Sequence, residues 1–281
     1  MSSISTSEYA QRRQHLMQSM TPNSIAILPA APVSARNSSV EYPYRQDSDF
    51  FYLSGFSEPE AVLVLIPQRE QGPFVMFCRE RNPERELWDG LRAGQAGVIA
   101  DYHADDAFPI SEIDDILPKL MDGCERVYYA IGNNPEFDQN MSKWLTTLRS
   151  QARMGAQPPT EFVTLDPLVH EARLHKSPAE LATMQQAADI SCRAHIRAMQ
   201  AAKAGLYEYH LEAELDYEFR KGGARLAAYS SIVASGKNAC ILHYTENNAP
   251  LHDGDLVLID AGCEIDCRSE EHTSELQSLP A

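Results

Sequence analysis

Short apolar runs broken by polar turns dominate the first half of the chain. Residues 25–28, 50–53, 61–66 and 74–78 are such runs, and each has the length of a strand. The turn-forming stretch 68–73 predicts a hairpin between the last two. Ahead of them Ser5-x-x-Glu8 has the spacing of a capping box, in which the hydroxyl accepts an early N–H and the carboxylate reaches back. Tyr9, Leu16, Met17 and Met20 then fall near one helical face, and Pro22-Asn23 stops the helix. A strand at 127–131 leads into a helix over about 135–153. Strands alternating with helices predict an α/β domain over residues 1–155.

Pro158-Pro159 and Pro167 punctuate residues 156–176, which read as a linker to a second domain over 177–267. Ser177-Pro178-Ala179-Glu180 opens that domain with an N-cap Ser, a Pro at the first helical position and a Glu three residues on. Leu181, Met184, Ala188, His195 and Met199 supply the expected apolar stripe, and Gly205 ends the helix after Lys203. A second helix over about 207–221 carries Leu211, Leu215 and Phe219 four apart and stops at Gly222-Gly223. The period then changes to strands at 229–235, 241–245 and 255–259, the last entered through His252-Asp253-Gly254.

Composition narrows the function classes. At 281 residues the chain has room for two domains, and 43% hydrophobic content is globular. A net charge of −16 gives no basic footprint for nucleic acid. No apolar run approaches the roughly 18 residues of a membrane span. The start, Met-Ser-Ser-Ile-Ser-Thr-Ser-Glu, lacks the basic and apolar regions of a signal peptide, so the expected location is cytoplasmic. Six scattered cysteines fit reduced thiols. Cys263 and Cys267 sit four apart without a second Cys/His pair, and read as packed thiols in preference to half a zinc site.

Several segments, in order, resemble the aminopeptidase P family. Tyr44-Arg45-Gln46-Asp47-Ser48-Asp49-Phe50-Phe51-Tyr52-Leu53-Ser54-Gly55-Phe56 and Glu86-Leu87-Trp88-Asp89-Gly90 resemble its N-terminal domain. Ser177-Pro178-Ala179-Glu180 resembles the opening helix of its pita-bread metallopeptidase domain, related to creatinase and methionine aminopeptidase. Ser231-Ile232-Val233-Ala234-Ser235-Gly236, Ile241-Leu242-His243-Tyr244-Thr245-Glu246-Asn247 and Leu256-Val257-Leu258-Ile259-Asp260-Ala261-Gly262-Cys263-Glu264 continue that resemblance. The fold it implies is α/β (α+β), an N-terminal α/β domain followed by an incomplete pita-bread domain.

The resemblance implies a manganese-dependent exopeptidase that removes an N-terminal residue when proline is second. An Xaa-Pro amide has no N–H and carries a fixed ring, which defeats peptidases that read an extended backbone. Two Mn2+ ions sharing an activated water are the family's solution, and oxygen donors suit manganese. The family's donors are two Asp, one His and two Glu. Asp260 matches the first of them, although its local pattern alone reads as a turn-initiating Asp. His243 matches a substrate-contacting histidine; by itself it reads as a satisfied, partly buried ring. Tyr229 is placed in the pocket for the N-terminal residue, against the plainer reading of a core aromatic. Trp88 falls in a domain that the family uses for homo-oligomer contacts reaching a neighbour's active site, and is otherwise an ordinary surface or core Trp.

The resemblance covers residues 1–267. The family's second metal Asp comes eleven positions after the first, and its His and Glu ligands come later still. Residues 268–281 instead resemble an adapter-derived translation, expected to be unrelated to the domain before them. Glu271 sits at the right offset from Asp260, and His272 beside it, but their neighbours do not resemble the family's. One secure ligand predicts weak metal binding, an inactive chain and an aggregation-prone second domain, while the first domain folds unaided. Two other readings compete: a prolidase acting on Xaa-Pro dipeptides, and a metal-free peptidase-like binding module.

Overall fold

The computed structural model describes residues 4–269, which divide into two compact units, Ile4–His175 and a second beginning at Lys176. The first is built on six strands: β1 (Ser24–Pro29), β2 (Val62–Leu65), β3 (Phe74–Cys78), β4 (Asp106–Pro109), β5 (Arg126–Tyr128) and β6 (Glu161–Val163). Their order is β4-β3-β2-β1-β5-β6. The β1–β2 and β2–β3 pairs are antiparallel, and the others are parallel. Helices α1 (Thr6–Ser19), α2 (Ser48–Ser54), α3 (Pro83–Asp89), α4 (Gly94–Tyr102), α5 (Ile113–Met121), α6 (Pro135–Ser150) and α7 (Asp166–Leu174) complete the unit.

Strands β2 and β3 are apolar at nearly every position because both sheet faces are covered. Alternation sends Leu63, Leu65 and Met76 into one core with Leu16, Phe50 and Phe56. Val62, Val64, Val75 and Phe77 go to the other, with Leu117 and Trp144. Each such side chain contributes about 1.5–3 kcal/mol by leaving water.

The run 50–53 is helix α2, not the expected strand. Asp47 caps it, accepting from the N–H groups of Asp49 (2.9 Å) and Phe50 (2.8 Å), and Gly55 ends it in the left-handed region. The side chains of Phe50, Phe51, Tyr52 and Leu53 are all buried, so no polar face marks the helix in the sequence. Buried Arg12 and Arg13 of α1 donate to the carbonyls of Tyr52 (3.1 Å) and Leu53 (2.8 Å), satisfying orphan acceptors at its end. Burial brings Arg13 down to about 10, with the Asp105 charge opposing.

The stretch 156–176 does not form a free linker. Its middle is β6, paired with β5, and its end is α7, whose Leu168 and Val169 pack on the core. Pro167 lies in the first turn of α7, where a missing N–H costs nothing, so this proline starts an element. Tyr52 fastens α7 by donating to the Ala172 carbonyl at 3.1 Å.

The second unit contains α8 (Pro178–Ala201), α9 (Glu208–Lys221) and two antiparallel strand pairs. Strands β7 (Leu226–Ala227) and β10 (Cys263–Glu264) form one pair; β8 (Ile232–Ser235) and β9 (Val257–Asp260) form the other. The Ser177 capping box forms as its spacing predicts, with Ser177 N–H donating to Glu180 at 2.8 Å and Glu180 N–H to Ser177 Oγ at 3.2 Å. The core stripe of α8 is not the expected one. Ala187, Ile190, Ala194 and Ala198 meet Leu211, Leu215 and Phe219 of α9, whereas Leu181 and Met199 are exposed. Small residues let the helices approach closely; a Cβ on Gly222 would stand 2.7 Å from Ile190.

Residues 241–245 are not a strand. A 3-10 turn, Gly236–Cys240, leads into a loop where Leu242 is 89% exposed and Tyr244 points inward. The cause is Glu208 of α9, whose fully buried carboxylate gathers donors from this loop. Its Oε1 accepts from Ser235 N–H (2.7 Å), Ser235 Oγ (2.8 Å) and Asn238 Nδ2 (3.2 Å). Its Oε2 accepts from the Tyr244 hydroxyl (2.7 Å) and Ala249 N–H (2.9 Å). Desolvation raises the Glu208 pKa, but these bonds together outweigh it and hold the carboxyl below its usual range. At the far end of the unit, Arg268 is buried and ion-paired with Glu180, so the stretch expected to be unrelated is docked at its first residue.

Two stability predictions follow from these contacts. Gly55 has φ +67°, and a Cβ there would meet the Tyr9 ring at 2.6 Å. Gly55→Ala should destabilise the first unit by about 2 kcal/mol, the left-handed cost plus the clash. That is a fall of about 4–8 °C in Tm, read by the fluorescence of Trp88 and Trp144, both of which lie in this unit. In the second unit, a depressed carboxylate pKa stabilises the fold above the unfolded value of about 4.3, and that contribution is lost as pH falls through the folded value. Urea midpoints between pH 6 and pH 3 should therefore fall in the parent. Glu208→Gln should flatten that acid limb and lower stability at neutral pH by roughly 2–3 kcal/mol.

Candidate metal and substrate site

Asp260 is the last residue of β9 and lies opposite Ile232 in the β8 ladder. Its side chain is exposed beyond the strand end, where the chain turns through Ala261 and Gly262 into β10. Tyr229, on the segment between β7 and β8, donates its hydroxyl to Asp260 Oδ1 at 2.5 Å. Two residues singled out in the sequence are thereby joined. His243 is exposed on the turn after the 3-10 segment, and among the described residues it has no hydrogen-bond partner.

Three residues of α8 hold the turn that carries Asp260. His195 Nε2 donates to the Ala261 carbonyl at 2.9 Å. Ser191 Oγ accepts from Cys263 N–H at 3.1 Å, and the Cys263 thiol lies 3.4 Å from the Ala187 carbonyl. Cys263 is thus a packed thiol. The spacing of Ala187, Ser191 and His195, four apart on one helix face, is a signal the sequence contained; His195 was assigned there to an apolar stripe, and its polar role was missed. The loop bearing His243 has a second fastening in Asn247, which stands at φ 47°. Its side-chain amide donates to the Ser231 carbonyl (2.8 Å) and accepts from Val233 N–H (2.9 Å), serving β8 as a neighbouring strand would.

Tyr229 also walls an open cleft of about 410 Å³, together with Glu212, Asp216, Arg220, Arg225 and Thr245. The donor set around Asp260 is thin. Among the described residues, three potential ligands converge only at Asp49, Asp166 and His170 of the first unit, where Arg173 already pairs with Asp49. A divalent ion of the manganese or magnesium class takes about six oxygen donors. A single carboxylate does not fit a two-metal centre. Glu271 and His272, at tempting offsets in the sequence, lie outside the described residues.

Comparison with known proteins covers nearly all of the chain. Residues 9–128 match the aminopeptidase P N-terminal domain and residues 182–272 the metallopeptidase family M24. The Xaa-Pro aminopeptidase of Escherichia coli K12 is 46% identical over 265 residues, 94% of this chain and 60% of that protein. The Haemophilus influenzae Xaa-Pro aminopeptidase is 40% identical over 94% of this chain and 59% of its own length. Among solved structures, Pseudomonas aeruginosa aminopeptidase PepP superposes with a TM-score of 0.93 at 66% identity, covering 94% of this chain and 60% of that one. Zinc-substituted E. coli aminopeptidase P in complex with product gives 0.90 at 46% identity, over 93% of this chain and 60% of that one. The present chain spans about 60% of the length of these relatives. With both domains matched in order, the chain belongs to the aminopeptidase P family of M24 metallopeptidases.

Proposed function

We propose that this chain belongs to an Xaa-Pro aminopeptidase, hydrolysing the bond between an N-terminal residue and a following proline. The observation that carries the reading is the Tyr229–Asp260 hydrogen bond at the strand end, inside the region matched to the M24 family. In this reading Asp260 is a metal ligand, and His243 and Tyr229 meet the peptide. The substrates are peptides with an N-terminal Xaa-Pro sequence, and the metal is Mn2+, bound as a pair by the family's complete donor set. Tyr229 engages one oxygen of Asp260 and also lines the adjacent cleft, so it joins the ligand to the peptide pocket.

Further parts of the reading rest on surface chemistry. Leu87, Trp88 and Leu91 are more than four-fifths exposed, an apolar patch suited to contact between copies of the chain. No helix among the described residues is long and apolar enough to cross a membrane, and we place the protein in the cytoplasm, without nucleic-acid partners.

Purified as these 281 residues, the protein should hold less than one Mn2+ per chain by elemental analysis and release no residue from an Xaa-Pro peptide. Stoichiometric manganese with chelator-sensitive turnover would overturn that half of the proposal. In a version extended to the relatives' length and loaded with Mn2+, Xaa-Pro peptides of three or more residues should be cleaved in preference to dipeptides. There Asp260→Asn should lower kcat/KM by at least about 100-fold, since even the groups behind a metal ligand are worth 10–100-fold. Preference for dipeptides would instead identify a prolidase.

A further inference from the structure

A single carboxylate ties together the whole loop on which His243 stands. The donors to Glu208 come from the loop's entrance (Ser235), its 3-10 turn (Asn238), the residue next to His243 (Tyr244) and its exit (Ala249). The exit contact is reciprocal, because Glu208 N–H donates to the Ala249 carbonyl at 3.0 Å while Ala249 N–H returns to the side chain. Asn238 also bonds the Tyr244 hydroxyl at 3.1 Å, so the partners support one another.

Every partner of the Glu208 carboxylate in this set is a donor. An ionised carboxylate has acceptors only, so both oxygens suit the site, whereas an amide would direct N–H groups at one cluster of donors. The site has the chemistry of an anion-binding nest, filled from within by the protein's own side chain. Glu208 lies at the first turn of α9, which packs on α8 through Leu211, Leu215 and Phe219. The carboxylate therefore refers the loop to the rigid helical pair of the unit. Tyr244, the residue after His243, is buried, and its hydroxyl ends on Glu208.

We propose that Glu208 is the positioning residue for His243, fixing through Tyr244, Ser235 and Ala249 the loop that presents the imidazole to the peptide. The peptide half of this inference rests on the role proposed above for His243; the positional half does not.

The test uses the 281-residue chain and backbone relaxation by NMR, with His243→Asn to assign the ring signals. Glu208→Gln should lower the order parameters of His243 and Tyr244 from about 0.85 to below about 0.6, and speed amide exchange at Ser235 and Ala249 at least tenfold. The β8–β9 ladder between Val233 and Ile259 should keep its protection. A rigid His243 in that variant overturns the proposal, as does a ladder that loosens to the same degree as the loop. Should Glu208→Gln fail to fold, Tyr244→Phe removes one donor and should loosen His243 in the same direction by less; an unchanged His243 there is equally fatal. In a version extended to the relatives' length and loaded with Mn2+, His243→Asn should change the KM for an Xaa-Pro tripeptide relative to the parent. If it does not, the role of His243 falls and Glu208 loses its part in recognition, whatever the loop measurements show.

Discussion

Backbone groups buried outside helices and strands must find partners, and in this protein a few buried polar side chains provide them. In the first unit the buried Gln46 does so for the segment leading into α2. Its Oε1 accepts from the N–H groups of Ala31 and Asp47, both at 2.9 Å, and its Nε2 donates to the carbonyls of Phe56 (3.2 Å) and Glu58 (3.0 Å). Arg12 and Arg13 complete the far end of the same helix. In the second unit Glu208 and Asn247 do the corresponding work for the loop between β8 and β9. Remove Gln46, Glu208 or Asn247 and two or more backbone groups lose their partners at once, whereas a lost core methylene is felt locally.

That constraint decides where chemistry can stand. Asp260, at the end of β9, and His243, on the loop before that strand, are exposed side chains, and the segment that carries each is held from behind. The Asp260 turn is held by His195 and Ser191 of α8, and the His243 loop by Glu208 of α9. Both helices belong to one packed pair with an alanine-rich seam, so the two segments share a single reference. The seam itself rules out large side chains at Ala187, Ala194 and Ala198. Leu181 and Met199 lie off that seam and are exposed.

The sequence disclosed the elements whose signals are local. The Ser177 capping box, the 211–215–219 stripe and the hairpin of β2 and β3 all depend on residues within a few positions of one another, and all are present. It misled where the deciding contact was distant. The run 50–53 is apolar all round because α1 and the core enclose it, and a strand and a buried helix look alike in that pattern. The run 241–245 has an apolar look, yet a buried carboxylate 36 residues earlier draws Tyr244 inward and leaves Leu242 in water. Prolines at 158, 159 and 167 looked like a spacer; pairing of β6 with β5 was invisible without the sheet. For the proposed site, Asp260, Tyr229 and His243 were singled out through their resemblance to the family's motifs, whereas Glu208, Ser191 and His195 have no motif and become visible only through what they hold.

The Tyr229–Asp260 bond also bears on how a lone strand-end carboxylate can be prepared for a cation. An exposed Asp samples several rotamers, and a ligand that must first be ordered binds an ion less well than one already fixed. A phenol donating to Oδ1 selects one rotamer and leaves Oδ2 with its lone pairs free to face an incoming charge. Such a bond is worth having only where further donors converge on the same point, because orientation multiplies an affinity that must already come from several ligands. If Asp260 is the metal ligand proposed above, the weak metal affinity proposed for these residues alone follows from the small number of donors beside it.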